Sequence, residues 1–76
     1  MSRPIGLIAG AGRFPLEVAR ALRARGERVI AVAIEGLVDP ALADDVDELH
    51  GLAVGQLGGL LDVLSGAGVA SAVMAG

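Results

Sequence analysis

The chain of 76 residues has no cysteine, tryptophan, tyrosine or lysine, and Phe14 is its only aromatic residue. Without cysteine it can form neither a disulfide nor a thiolate metal site, which fits a reducing cytosol. With one aromatic residue, the core has to be built from Ala, Val, Leu and Ile, which disfavours a large aromatic-lined pocket. A chain of this length is expected to form one domain rather than two.

Positive charge and long apolar runs are also scarce. Six arginines against nine acidic residues give a formal net charge of −3, so we expect no nucleic-acid partner. The longest uninterrupted apolar run, Val29 to Ile34, is far shorter than the roughly 20 residues that cross a bilayer. The apolar stretch near the N-terminus is short, glycine-rich and ended by Arg13, so we do not expect a secretory signal peptide.

The sequence does contain an alternation of strand and helix patterns. Residues Ile5 to Ala9 and Val29 to Ile34 are apolar runs, typical of strands that are buried on both faces. Between them a helix is predicted from Pro15 to Arg25, with Gly26 as its C-terminal stop. Strand, helix and strand within about thirty residues predict a βαβ unit with parallel strands.

The second half of the chain continues this alternation. Asp39 is predicted to cap a short helix that begins at Pro40. A third strand is predicted from Leu49 to Val54 and a fourth from Val69 to Ala75, with a helix between them because four leucines follow helical spacing. These leucines are Leu57, Leu60, Leu61 and Leu64.

The fold class predicted from this order is α/β, a Rossmann-like open, mostly parallel sheet of about four strands with flanking helices. A parallel strand needs cover on both of its faces, and no residues follow the fourth strand to provide a helix. We therefore expect the chain to be an incomplete domain, the N-terminal piece of a longer protein.

The first strand leads into Gly10-Ala11-Gly12-Arg13, just before the first helix. Backbone amides and the positive end of a helix dipole at such a place suit a phosphate group. The pattern G-x-G-x-x-P matches the dinucleotide-binding fingerprint only in part, because Pro15 replaces the third glycine. Glu35, at the end of the second strand, stands near where that fingerprint expects a ribose-binding acid. Arg13 either holds a phosphate or pairs with Glu17.

Further residues follow the carboxyl ends of the other predicted strands, which is where ligands bind in open α/β sheets. Gly36 follows the second strand and Gly55 follows the third. Both glycines are equally well explained as ordinary turn residues. Gln56 opens a helix after the third strand, where its amide could face the ligand or simply be exposed. Gly76 follows the fourth strand.

Two other features do not point to chemistry. The acidic run of residues 44–48 precedes the third strand, so it belongs to the amino-terminal edge of the sheet, opposite the expected ligand crevice. We interpret it as a solvated acidic turn rather than a metal site. His50, the only histidine, has no Cys, Ser or second His beside it, and we assign it a structural or surface role. The sequence shows no arrangement of residues that is typical of a nucleophilic catalytic triad.

Four segments in combination resemble one family of bacterial proteins. They are Ile5 to Pro15, Val29 to Gly36, Gly55 to Gly58 and Val73 to Gly76. Together they are similar to the N-terminal domain of the two-domain UDP-2,3-diacylglucosamine pyrophosphatases of the non-calcineurin type, the LpxI family of lipid A biosynthesis. The resemblance covers nearly the whole chain and departs at Gly59, where the family often carries lysine.

The resemblance implies that the full-length protein is a hydrolase of the lipid-linked sugar nucleotide UDP-2,3-diacylglucosamine. The products are then 2,3-diacylglucosamine 1-phosphate (lipid X) and UMP, and the reaction uses Mg²⁺ or another divalent cation. The cation and the catalytic residues are implied to belong to a C-terminal domain outside residues 1–76, so we expect this N-terminal substrate-binding domain to be inactive alone. The substrate contacts implied for this chain are Gly10, Ala11, Gly12, Arg13, Gln56 and Gly76.

A cytoplasmic location is also implied, with a peripheral contact to the inner-membrane surface and a homo-oligomer left open. Two alternatives from other classes remain. The first is an NAD(P)-binding Rossmann domain of an oxidoreductase, favoured by Gly10, Gly12 and Glu35 and disfavoured by Pro15. The second is a non-catalytic nucleotide-binding module or a phosphorylation receiver, and the receiver is disfavoured because the chain contains no lysine.

Overall fold

The computed structural model describes residues 3–53, 59, 62, 65, 66, 68, 69 and 71–75. Within this part of the chain, strands and helices follow one another in the predicted order. They are β1 (Ile5–Ala9), α1 (Phe14–Ala24), β2 (Val29–Ile34), a 3-10 helix (Pro40–Asp45), β3 (Glu48–Leu52) and β4 (Ser71–Ala75).

The strands form one parallel sheet in the order β3-β2-β1-β4. Ile5 of β1 lies opposite Val29 of β2 on one side and opposite Ser71 of β4 on the other. The chain therefore moves outward from β1 to β3 and then returns to the far side of β1. This open parallel arrangement confirms the predicted Rossmann-like α/β fold, and it places the reversal of strand order between β1 and β4.

Strand β2 lies in the centre of the hydrophobic core, as its continuous apolar sequence predicts. Val29, Ala31 and Ala33 belong to the main core cluster, which also contains Leu16 and Ala19 of α1. Ile30 and Val32 alternate with them and are also buried, with 1% and 2% of their surfaces exposed. Successive side chains of a strand point to opposite faces, so β2 is buried on both.

Helix α1 covers one face of the sheet. It buries Pro15, Leu16 and Ala19, and its bounds differ by one residue at each end from the predicted 15–25. Proline is tolerated anywhere in the first helical turn, so the helix begins one residue earlier, at Phe14. At the other end Gly26 adopts a φ of 83°, which confirms it as the stop residue.

The short helix after β2 is a 3-10 helix and begins as predicted. The N–H of Ala41 donates to Oδ1 of Asp39 at 2.9 Å, so the Asp39 side chain caps the first turn. Leu42 from this helix is completely buried in the core cluster, and Val46 follows it there. The segment therefore packs over the same face of the sheet as α1.

The observed bounds of β3 and β4 differ from the predictions because neighbouring strands set them. Strand β3 runs from Glu48 opposite Ile30 to Leu52 opposite Ile34, so it begins one residue before the predicted Leu49 and ends where β2 ends. The predicted end at residue 54 lies outside the described residues. Strand β4 starts at Ser71, opposite the first residue of β1, rather than at Val69. The predicted leucine-stripe helix lies mostly outside the described residues, although Asp62, Ser65 and Gly66 are helical.

No helix in the described part of the chain combines the length and the apolar composition needed to cross a bilayer.

Candidate functional site

The loop that follows β1, residues 10–13, lies at the carboxyl edge of the sheet. The N–H of Gly10 donates to the carbonyl of Ala75 at 2.8 Å, which joins the start of the loop to the end of β4. This junction is the point where the strand order reverses. In open α/β sheets the crevice that receives a ligand lies at such a point.

The same loop is also joined to the segment that follows β2. Gly12 and Val38 form an isolated parallel bridge outside the regular strands. The loop is thus connected to β4 at Gly10 and to the β2 side at Gly12. Two anchors within three residues limit the conformations that the loop can adopt, so its amides are preorganised.

Two glycines of these loops are required by backbone conformation. Gly12 and Gly36 both have a φ of 85°, in the left-handed region that residues with a Cβ rarely adopt. A Cβ added at either position would meet no heavy atom of the described residues within 4 Å. These residues therefore leave the space above both glycines open, and the turn itself selects glycine.

Four of the residues predicted to contact substrate belong to this loop. Ala11, Gly12 and Arg13 are exposed, and Gly10 is half-buried. Arg13 stands at the N-cap position of α1, but its side chain makes no capping hydrogen bond. No ion-pair partner for its guanidinium occurs among the described residues, so the alternative pairing with Glu17 is absent there. The guanidinium can therefore meet an anion from solvent.

The first turn of α1 offers few free amides of its own. Pro15 has no N–H, and the amides of Leu16 and Glu17 donate to the Arg13 carbonyl at 3.0 and 3.2 Å. The N–H of Phe14 has no backbone acceptor in the described part of the chain. The N–H of Gly10 already donates to Ala75, so an anion at this site would be held by Phe14, by the later amides of the glycine loop and by Arg13. This donor set is suited to the oxygen atoms of a phosphate.

Gln56 and Gly76, the two other predicted contacts, lie outside the described residues. Their roles stay predictions.

The acidic run lies at the amino-terminal edge of the sheet, as predicted, but it is not merely solvated. The N–H of Val29, the first residue of β2, donates to a carboxylate oxygen of Asp47 at 2.7 Å. Nε of Arg20 lies 3.0 Å from a carboxylate oxygen of Asp45. Both carboxylates therefore have structural partners. Among the described residues, no three His, Cys, Asp or Glu side chains come together in a way that could hold a metal ion.

A shallow depression lies beside this run, between the last turns of α1 and the 3-10 helix. Its lining residues are Arg20, Arg23, Ala24, Asp44 and Asp45. The helix runs antiparallel to the strands, so its last turns are at the amino-terminal edge. The depression therefore does not adjoin the glycine loops.

His50 lies on β3, the strand at one end of the sheet. Its Nε2 lies 3.7 Å from Oε2 of Glu48, beyond hydrogen-bond distance, and has no hydrogen-bond partner among the described residues. That nitrogen is enclosed, although the side chain as a whole is 43% exposed. His50 is thus a half-buried residue of an outer strand, and β2 separates it from β1 and the loop that follows β1.

A comparison of the chain with protein families finds a match that covers the segments forming this edge. The family model described as LpxI N-terminal domain matches residues 4–76, a span that includes every strand and both loops of the site. No curated protein and no solved structure matches the chain.

Proposed function

We propose that this chain, which belongs to the LpxI N-terminal domain family, is the substrate-binding part of an enzyme that hydrolyses the pyrophosphate of UDP-2,3-diacylglucosamine. The family is one of lipid A biosynthesis. The products of the proposed reaction are 2,3-diacylglucosamine 1-phosphate and UMP.

One structural observation supports the proposal. The exposed loop Gly10 to Arg13 is fixed at both flanks, by the hydrogen bond to Ala75 and by the bridge to Val38. Its amides after Gly10, whose own N–H is bonded to Ala75, and the Arg13 guanidinium can donate to the oxygen atoms of a diphosphate. Cleavage of the P–O–P bond moves negative charge onto the departing phosphate, and fixed donors at that place stabilise this charge. The role proposed for the loop is to bind and orient the diphosphate.

Hydrolysis of a diphosphate is commonly assisted by a metal ion that polarises the phosphoryl oxygen atoms. The described residues do not fit such an ion, because they bring no three potential ligands together. We therefore assign no step to a metal held by them. The proposal is that Mg²⁺ or another divalent cation, together with the catalytic acids, belongs to a C-terminal domain.

Two apolar side chains next to the loops suit a substrate with acyl chains. Phe14 follows the glycine loop, and Leu37 precedes Val38 of the bridge. They are 55% and 53% exposed, although most large apolar residues of such a domain are buried. Contact with acyl groups would remove this surface from water. An acylated substrate would also bring the enzyme to the cytoplasmic surface of the inner membrane, where we propose that it acts.

The second candidate function is that of an NAD(P)-dependent oxidoreductase. The strand order and the exposed Glu35 after β2 favour it, since a dinucleotide-binding domain carries an acid at this place. Pro15 in the first turn of α1 disfavours it, because the fingerprint requires a glycine there for close packing of the helix on the strand.

Calorimetric titration and an activity assay on the full-length protein separate the candidates. The proposal expects binding of UDP, little binding of NADH, and release of UMP from UDP-2,3-diacylglucosamine in the presence of Mg²⁺. Chelation of the metal is expected to stop UMP release. Tight binding of NADH without binding of UDP would reject the proposal in favour of the oxidoreductase.

A further inference from the structure

Glu35 is held at the same edge of the sheet as the glycine loop. It is the first residue after β2, and its N–H donates to the carbonyl of Leu52 at 2.9 Å, so its backbone continues the pairing of β2 with β3. Along the chain it lies between Ala33, which is paired with Ala9, and Val38, which is bridged to Gly12. The two contacts keep Glu35 beside the segment that carries the predicted phosphate site.

The side chain of Glu35 is on the face of the sheet that α1 covers. Ala31 and Ala33 point into the core beneath α1, and strand alternation puts Glu35 on the same face. A Cβ built on Gly51 would lie 3.1 Å from Cγ and 3.2 Å from Oε1 of Glu35. Gly51 is opposite Ala33 in β3, so the Glu35 side chain lies across the end of that neighbouring strand. Glycine at position 51 provides the room for it.

The carboxylate of Glu35 is not used by the fold in the described part of the chain. Glu35 is exposed, and none of the described residues forms an ion pair or side-chain hydrogen bond with it. An ionised carboxylate is an acceptor only, with two oxygen atoms that can receive neighbouring O–H donors. A pair of vicinal hydroxyl groups, such as those of ribose, matches that geometry.

We propose that Glu35 accepts hydrogen bonds from the ribose hydroxyl groups of the bound nucleotide, with Gly51 as the residue that positions its side chain. This inference rests on the proposed function and deepens it, because it assigns recognition of the nucleotide's ribose to one side chain of this chain. The glycine loop then receives the diphosphate, and Glu35, one strand away on the same face, receives the sugar.

The test combines a change in the protein with a change in the ligand. Binding of UDP and of 2′-deoxy-UDP is measured by calorimetry on the full-length protein and on its Glu35→Gln, Gly51→Ala and Glu27→Gln variants. The natural protein is expected to bind UDP about tenfold more tightly than 2′-deoxy-UDP, because the deoxy ligand leaves the carboxylate without one partner. In Glu35→Gln this ratio is expected to fall towards one, mainly through weaker binding of UDP.

The two other variants separate a positioning effect from a general loss of charge or stability. Gly51→Ala keeps the carboxylate but crowds it, so the ratio is expected to fall in part while 2′-deoxy-UDP binds as before. Glu27→Gln removes an acid from the loop that precedes β2, at the opposite edge, and is expected to leave the ratio unchanged.

Three results would overturn the inference. If the natural protein binds UDP and 2′-deoxy-UDP equally, Glu35 has no role in sugar recognition, while the proposed function stands. If Glu35→Gln keeps the full preference for UDP, the hydroxyl acceptor is another residue. If the natural protein binds neither ligand, the proposed function fails and this inference fails with it.

Discussion

Asp47 and Val29 are joined by two hydrogen bonds. The N–H of Val29 donates to a carboxylate oxygen of Asp47 at 2.7 Å, and the N–H of Asp47 donates to the carbonyl of Val29 at 2.9 Å. This exchange fixes the segment before β3 to the first residue of β2. It makes the acidic run a structural element of the edge opposite the proposed ligand site.

Asp47→Ala is therefore expected to destabilise the fold. Val29 is completely buried, and its amide would lose the carboxylate acceptor, at a cost of about 1–3 kcal/mol. The free energy of unfolding from urea titration measures the effect. Asp44→Ala is the control, because Asp44 is exposed, and a change of within about 0.5 kcal/mol is expected. Equal losses in the two variants would contradict the structural role of Asp47.

Gly12→Ala is expected to lower both stability and UDP affinity. A residue with a Cβ at a φ of 85° costs about 1–2 kcal/mol, and relief of that strain would move the loop amides away from the ligand. Gly26→Ala is a matched control, since Gly26 has a φ of 83° and equally open space but ends α1 at the far edge. It should destabilise the protein to a similar extent and bind UDP normally. A similar loss of affinity in Gly26→Ala would show that stability alone explains the result.

Arg13→Ala is expected to weaken UDP binding by about tenfold or more, because a charge-assisted hydrogen bond to phosphate is lost. The dependence of the affinity on salt concentration should also decrease. Arg23→Ala removes an exposed arginine from the last turn of the same helix and should change neither quantity. Unchanged affinity in Arg13→Ala would remove the guanidinium from the proposed site.

Phe14→Ala and Leu37→Ala are expected to weaken binding of the diacylated substrate while leaving binding of UDP unchanged. Removal of an apolar side chain that becomes buried against an acyl chain costs about 1.5–3 kcal/mol, or about tenfold or more in affinity. Both residues are more than half exposed, so their loss should alter the free energy of unfolding little. Steady-state KM for the acylated substrate, compared with the Kd of UDP, measures the difference. Equal effects on both ligands would contradict an acyl contact.

Local sequence patterns predict much of the fold. The bounds of β1 and β2 agree with the apolar runs, Asp39 caps the 3-10 helix and Gly26 ends α1. Each of these features depends on a few consecutive residues, whose backbone preferences and hydrophobic pattern are visible in the sequence. The position of the loop from Gly10 to Arg13 at the carboxyl edge follows from the same order of elements.

The sequence by itself determined that parallel strands alternate with helices and that a glycine turn follows β1, because residues near one another in the chain encode these features. The tertiary structure decided where β3 ends, which carboxylates have partners, and that the loops after β1 and β2 meet at Gly12 and Val38. It also decided that Glu35 lies across Gly51. These relationships join residues far apart in the chain, and the register of neighbouring strands, which no local pattern specifies, brings them together.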